Sequence, residues 1–452
     1  MLNDVHSIID RAIQSNIYTV MTDCPHREKL GWLEQTHLVF EPVTRGYDIQ
    51  GFGAGIVRTM LDAQHSTGLE PDIAPEFEIF SPSVLSGGLL DEPNWGNAVV
   101  ILPLQLYQTY GSLNLLEEAY TSMGNYVDYL AAKANNSILD YGLGDWIAFD
   151  TSTPKGITAT FGFYQALNGM QTISAALGHT SDSEKYAAMI SSLLTSFQSR
   201  FINTTNGGYN YGSASQASNA MALDIGVVPS EYQAIVSQNI VDSIAANGNH
   251  LSVGEIALPS LFRVLQAAGH NDILYQLVTI PTSPSYAYQV LHGATSLTEN
   301  WDGPTNQCAG CNSLNHFMLG YADQWLNQLC GVSQYTDSVT WQTINYNPIL
   351  VTNLTSASCS YRSPRGLASA SWTRFADHFN YTLTVPVGAT GIVALDLTTL
   401  GFNKVTERGI ILTSQSRGNG IIAVTSVNGT MTVQLGSGGY EFIASKPPTY
   451  NG

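Results

Sequence analysis

The hydrophobic period of this chain changes once, and that change limits the folds open to it. Up to about Gly331, apolar residues recur at helical spacing. Leu116, Tyr120, Met123, Val127 and Leu130 fall on one face of a helix, and Leu314, Phe317, Met318, Tyr321, Trp325 and Leu329 form another stripe. Comparable runs lie around residues 97–110, 159–177, 182–201 and 254–279. Loops rich in Gly, Pro, Ser, Asn and Asp separate them, as at 80–93, 148–158 and 279–285. Roughly a dozen helices with no strands between them predict helical hairpins closed into a ring. No heptad seam is sustained, which excludes a coiled coil. Beyond Gly331, Phe379, Tyr381, Leu383 and Val385 alternate with polar residues, and Val433, Leu435, Tyr440 and Phe442 flank a turn at 436–439. The predicted architecture is a multidomain α and β chain: residues 1–331 helical, residues 332–452 an antiparallel β-sandwich with a structural role. A length of 452 residues also calls for more than one core.

Charge narrows the function. There are 17 basic residues against 35 acidic ones, a net charge of −18. Nucleic-acid binders need clustered Lys and Arg, so no nucleic-acid partner is expected. No apolar run approaches the ~18 residues of a membrane span, so no membrane partner is expected either. Few lysines beside abundant Ser, Thr, Gly, Asn and Tyr make a secreted-enzyme composition, and Asn135, Asn203, Asn353, Asn380 and Asn428 open glycosylation sequons. An extracellular location is the expectation, although Met1–His6 lacks the basic and apolar regions of a signal peptide. The count of 5 Cys is odd. Cys308 and Cys311 read as a local loop disulfide rather than half of a zinc site, because a second pair at zinc spacing is missing. Cys24 reads as a small buried thiol.

The most chemically loaded stretch is Asp23-Cys24-Pro25-His26-Arg27-Glu28-Lys29-Leu30-Gly31-Trp32-Leu33-Glu34-Gln35. Unpaired charges are expensive to bury, so this is a poor core element and a good pocket wall. It supplies acids to move protons, an Arg to hold them and an indole face for a sugar. It resembles the signature segment of family 78 glycoside hydrolases, the inverting α-L-rhamnosidases. Other segments resemble that family in matching order: Tyr141–Trp146 with its Gly-Asp-Trp, Gly293–Gly303 with Glu299-Asn300-Trp301, Ser313–Phe317, and near the end Ser363–Gly366 and Gly436–Phe442. The resemblance implies an (α/α)6 barrel followed by the sandwich, with the β-rich N-terminal domains of the family missing, so that the chain is expected to be a fragment. It implies Glu28 as general acid and Glu299 as general base. Asp23, Arg27, Trp32, Glu34, Trp95, Asp145, Trp146, Trp301 and His316 are the expected sugar-binding residues, with Asp72, Glu76, Asp91, Phe77, Phe80 and His250 as further candidates.

Inverting hydrolysis needs one carboxylic acid on the leaving oxygen and one carboxylate on water, roughly 6.5–9.5 Å apart. Trp32 and Trp301 flank the two chosen acids, as apolar rings that raise a carboxyl pKa would. Asp23 and Arg27 either meet the sugar and a carboxylate or pair with each other. Glu34 departs from the family pattern Gly-Trp-Thr-Gly-Asp, where the acid comes one residue later. No metal constellation or phosphate loop occurs, so neither cofactor nor metal is expected. The leading reading is an exo-acting α-L-rhamnosidase for terminal rhamnosyl linkages of plant glycans or glycosides, with carbohydrate as partner. Two alternatives are a rhamnose–uronate lyase on the same scaffold, with Arg27, Lys29 or His26 facing the uronate, and a non-catalytic glycan-binding protein.

Overall fold

The structure, a computed structural model, describes residues 1–81, 83–84, 88–205, 208–306 and 312–446. It falls into two compact units: Met1–Leu106 with Ser112–Asp323, and Tyr107–Gly111 with the chain from Gln324 onward.

The first unit is built from helices α1 (Leu2–Asn16), α2 (Glu34–Leu38), α3 (Phe40–Gly46), α4 (Gln50–Ala63), α5 (Pro93–Gly96), most of α6 (Ala98–Tyr110), α7 (Leu113–Lys133), α8 (Lys155–Ala176), α9 (Thr180–Phe201), α10 (Gln216–Asp224), α11 (Ser230–Ala246), α12 (Leu258–Ala267), α13 (Asn271–Thr279), α14 (Tyr286–Leu291) and the start of α15 (Ala322–Gln328). In α7 the predicted stripe is the buried face: Leu116, Met123, Val127 and Leu130 are fully covered. In α8 the run Gly156–Phe163 is buried without interruption, as expected of a helix enclosed on all sides. It packs against both α7 and α9. Caps mark several starts. Ser215 Oγ accepts from Ser218 N at 3.0 Å to open α10, and Ser285 Oγ accepts from Tyr288 N at 3.0 Å to open α14.

Three expectations need correction here. The unit is not wholly helical: β1 (Ile202–Asn203) and β2 (Asn210–Tyr211) pair antiparallel after α9. The run 254–279 is two helices, α12 and α13, because Gly269 takes φ +81° between them. The stripe from Leu314 is helical only from Ala322. The preceding backbone is committed elsewhere: His316 N donates to Leu297 O at 2.8 Å and Glu299 N donates to Ser313 O at 2.9 Å.

The second unit holds two stacked sheets. One has the order β10-β9-β13-β7-β6-β5 and the other β11-β12-β8-β4-β3. The strands are β3 (Val332–Gln334), β4 (Thr343–Tyr346), β5 (Ser356–Ser363), β6 (Gly366–Arg374), β7 (His378–Val385), β8 (Thr390–Asp396), β9 (Lys404–Glu407), β10 (Ile410–Ile411), β11 (Ile421–Val427), β12 (Thr430–Leu435) and β13 (Gly438–Ser445). Trp372, Phe379, Tyr381 and Phe442 of the first sheet share a core with Ile344, Tyr346, Val393 and Val433 of the second. The sandwich is not wholly antiparallel: β4 and β8 run parallel, because β5, β6 and β7 lie between them in sequence and cross to the other sheet. The division between units falls inside α15, before residue 331, and Tyr107–Gly111 belongs with the second unit. Gln108 O explains that placement, since it accepts from Thr340 N at 2.8 Å and Gln334 Nε2 at 2.9 Å.

Cys330 and Cys359 form a disulfide with Cα atoms 5.7 Å apart and a sequence separation of 29. Cys24 is free and buried, as expected. The Cys308–Cys311 pair lies outside the described residues. A crosslink of that loop length contributes about 3–4 kcal/mol. Cys330→Ser with Cys359→Ser should therefore lower the melting transition of the C-terminal unit by several degrees in calorimetry while leaving an unlinked helical transition in place.

Candidate active site

The Asp23–Gln35 segment is a closed loop. Asp23 N donates to Leu30 O and Leu30 N donates to Asp23 Oδ1, both at 3.0 Å, while Glu28 N reaches Cys24 Sγ at 3.3 Å. Lys29 turns the chain at φ +60°. Past the turn, Leu33 N donates to Asp72 O and Ala74 N to Gly31 O, both at 3.0 Å, so the strip runs alongside residues 72–74. Asp23 is 3% exposed and spends an oxygen on its own loop. Between the two readings of Asp23 and Arg27, neither a mutual pair nor an exposed Asp23 is seen.

Arg27 instead joins two carboxylates. Its Nη1 donates to Glu299 Oε2 at 2.9 Å and its Nη2 lies 3.6 Å from Glu28 Oε1. Glu28 and Glu299, far apart in sequence, thus meet at one guanidinium. Ser313 N also donates to Glu299 Oε2, at 2.6 Å. Burial pushes the Glu299 pKa up, while Ser313 N–H and Arg27 pull it back. Trp32 meets Glu28 edge-on: its Nε1 donates to Oε2 at 2.8 Å, and its face stacks on Phe80 at 5.6 Å. The expected apolar contact to this acid is a hydrogen bond.

Below these groups lies a layer of buried acids. Glu34 opens α2 and is 3% exposed; burial lifts its pKa to about 8. Asp72 Oδ1 accepts from Glu92 N at 2.8 Å, and burial raises its pKa well above the ordinary range. Glu92 accepts from Asn94 and from Leu143 N, and burial lifts it to about 7. Glu255 is 1% exposed with both oxygens unpartnered, and burial followed by repulsion from Glu34 raises it strongly. Sequence reading missed Glu255. The available signal was a lone acid inside the apolar run Val253–Leu265. Asp145, expected on the sugar, uses both oxygens on backbone: Oδ2 accepts from Gly254 N at 2.7 Å and Oδ1 from Ala257 N at 3.0 Å. It braces the segment that carries Glu255.

A cavity of about 440 Å³ is lined by Trp146, Ile147, Ala148, Phe149, Ser283, Asn300, Trp301 and Asp302. Trp146 and Trp301 are thus brought to one hollow, beside the Glu299 segment in sequence. Trp301 presents little surface, with Tyr286 edge-on against it at 4.8 Å. Trp95 does not join them. It sits in α5 at 3% exposure, enclosed in the helical core, which gives it a packing role in place of the sugar-facing one expected. His316 is buried; Met318 N donates to its Nδ1 at 3.3 Å, and burial lowers its pKa to about 3, so it is neutral. Among the outer candidates, Asp91 pairs with Lys133 and Tyr129, Glu76 with His65, and His250 with Thr282. Phe77 is 74% exposed. Among the described residues no group of His, Cys, Asp and Glu is arranged to hold a metal.

Residues 1–330 match the family model described as the bacterial alpha-L-rhamnosidase 6 hairpin glycosidase domain, and residues 331–408 match the bacterial alpha-L-rhamnosidase C-terminal domain. The chain belongs to the bacterial α-L-rhamnosidase six-hairpin glycosidase family. A curated alpha-L-rhamnosidase of Streptomyces avermitilis is 29% identical over 402 residues, 87% of this chain and 37% of the relative; one from Alteromonas sp. (strain LOR) is 27% identical over 85% of this chain and 42% of its own length. Among solved structures, an alpha-L-rhamnosidase from Dictyoglumus thermophilum superposes with TM-score 0.87 at 26% identity, covering 98% of this chain and 49% of that one. The Streptomyces avermitilis alpha-L-rhamnosidase complexed with L-rhamnose superposes with TM-score 0.86 at 26% identity, covering 98% and 41%. The chain therefore spans about two-fifths of the length of these curated relatives.

The acid layer of this family member makes its stability fall with rising pH. Glu92 and Glu34 have folded pKa values raised to about 7 and about 8, against an unfolded value of ~4.3. Between those limits the folded state binds more protons than the unfolded one, so their contribution is full below ~4.3 and is lost as pH rises through 7 and 8. His37 and His316, lowered to about 4 and about 3, act in the opposite sense but only below the unfolded His value of ~6.5. From pH 6.5 to 8.5 the carboxyls act together with His6, whose pKa is raised by its hydrogen bond to Asp323 and whose contribution is likewise lost as pH rises. The melting temperature should drop by several degrees across that window, and Glu34→Gln should flatten the slope in a pH series of thermal melts.

Proposed function

We propose that this chain is the catalytic part of an inverting, exo-acting α-L-rhamnosidase that hydrolyses terminal α-L-rhamnosyl linkages of plant glycans or glycosides. The helical unit is read as an (α/α)6 ring of hairpins that presents its loops on one rim. The observation that carries the reading is the Arg27 bridge, which brings Glu28 and Glu299 together. Contacts of 2.9 and 3.6 Å to neighbouring nitrogens of one guanidinium keep the two carboxylates within reach of the ~6.5–9.5 Å spacing of inverting enzymes.

In this mechanism Glu28 gives its proton to the glycosidic oxygen as the bond to the anomeric carbon breaks. Glu299 takes a proton from the water that attacks the opposite face. Burial suits Glu299 to that task, because a raised pKa makes a stronger base, while Arg27 and Ser313 N–H favour its ionised form. Trp32 fixes the direction of the Glu28 carboxyl through its N–H. Trp146 and Phe149 line the hollow that Asn300–Asp302 also border and offer apolar surface to the methyl group of a 6-deoxy sugar. The partner is carbohydrate. The lyase alternative needs a cation free to face a uronate carboxylate; Arg27 is committed to two acids, which leaves Lys29 and His26 for that role. We also place the protein outside the cell, a reading supported by the Cys330–Cys359 disulfide.

Two measurements test the assignment. Proton NMR of the first-formed sugar from an aryl α-L-rhamnoside should show β-rhamnose; α-rhamnose would mean retention, and an unsaturated uronate from a gum fragment would mean elimination. Glu299→Gln should lower kcat by ~10²–10⁴-fold with little change in rhamnose affinity. Glu28→Gln should harm natural substrates more than activated aryl ones, since a good leaving group needs less protonation. Equal losses on both would move the acid role to another residue.

A further inference from the structure

We propose that Gln289 is a positioning residue for Glu299. From α14 it holds the backbone on both sides of that carboxylate, at Thr298 and at Asn300, and so fixes where the general base stands.

Gln289 is fully buried, at 0% exposure, in a helix of six residues. A buried amide is costly unless its groups find partners. Here both do. Its Oε1 accepts from Thr298 N at 3.0 Å, and its Nε2 donates to Asn300 O at 3.5 Å. These are the residues immediately before and after Glu299. A different segment holds Glu299 itself: its N–H donates to Ser313 O at 2.9 Å. The helix is set for this contact. Ser285 Oγ caps its start at Tyr288 N, and Tyr286 and Gln289 lie one turn apart on the same face. Tyr286 packs edge-on against Trp301 at 4.8 Å, and its hydroxyl donates to Leu319 O at 2.6 Å. One face of α14 therefore meets residues 298, 300 and 301. Gln289 O also accepts from Ala294 N at 2.9 Å, which closes the link between α14 and the Glu299 segment.

Removing the amide has unequal effects on its two partners. Asn300 O keeps donors in Thr298 Oγ1 at 2.6 Å and Gly303 N at 3.0 Å, whereas Thr298 N loses its acceptor. The backbone just ahead of the base is then the part set free. Arg27 and Ser313 N–H fix the carboxylate end of Glu299, but the reach of that side chain starts from where its backbone stands. A general base must lie within hydrogen-bond distance of the proton it takes, about 2.6–3.2 Å between heavy atoms, so a small displacement is felt in the rate. Gln289 bonds backbone groups and is closed off from solvent, so it acts through Glu299 and touches no sugar.

The inference rests on Glu299 being the base of a rhamnosidase, and the experiment reads the two separately. With an aryl α-L-rhamnoside, Gln289→Met, similar in size but without the amide, should lower kcat by roughly 10-fold or more and move KM by less than about threefold. In a Glu299→Gln background the same change should cost less than about twofold, because a base that is absent cannot be misplaced. Gln289→Glu, whose buried carboxyl keeps its proton in acid and so still accepts and donates, should recover most of the loss at about pH 5 and lose activity relative to the wild type as pH rises. That variant keeps the test available if Gln289→Met fails to fold. Hydrogen exchange in the peptide spanning residues 297–303 should quicken in Gln289→Met and return toward the wild-type rate in Gln289→Glu at acidic pH. A normal kcat in Gln289→Met, or an equal loss with and without the Glu299 carboxylate, overturns the positioning role while the base assignment stands. Near-normal turnover by Glu299→Gln overturns the base assignment and the positioning role with it.

Discussion

The Arg27 guanidinium is the contact around which the helical unit's chemistry is arranged. It spans 272 residues of sequence to reach Glu299 while touching its own neighbour, Glu28. Removing it would take the shared cation from Glu299 and the more exposed Glu28, and the cost would fall mainly on the better-buried Glu299. The rest of the local structure serves this geometry. The closed loop of Asp23 and Leu30 sets the direction of Arg27, and Ser313 N–H fixes Glu299 from the far side. Trp32, stacked on Phe80, orients Glu28.

Beneath that bridge the protein spends acids as structural parts. Asp145 ties residues 145–146 to 254–257, and Glu92 ties residues 92–94 to 142–143. These carboxylates accept backbone N–H groups that would otherwise be buried without partners. Their number has an electrostatic consequence. So many acids at low exposure cannot all be ionised together, and the protein answers by raising their pKa values until some stay protonated near neutrality. Dependence on pH is thus a property of the whole acid layer.

Much of this was legible before any coordinates. The stripe in α7 and the alternation in β7 map directly onto buried faces, because periods of 3.6 and 2 record which side of an element meets the core. The Asp23–Gln35 and Glu299–Trp301 segments stood out by concentrating charge and indole. Other features left no such trace. Leu314–Tyr321 carries a helical pattern and still takes another path, because its backbone pairs with the Glu299 segment. Nothing in β4 or β8 states that they run parallel; the crossing of β5–β7 to the other sheet decides it. Trp95 and Trp146 look alike as tryptophans beside glycine-rich loops, yet one is enclosed in α5 and the other lines a cavity.

By itself the sequence determined most of the elements, their order and the charged segments that carry Glu28 and Glu299, since each is written in local composition and spacing. Tertiary structure alone decided which groups meet. Arg27 chose Glu28 and Glu299 over Asp23, Asp145 became a brace, and Glu255 came to rest buried with no donor on its carboxyl. The reason is physical: hydrogen-bond partners and charge repulsion depend on distances of a few ångströms between residues hundreds of positions apart, and those distances exist only once the chain has closed upon itself.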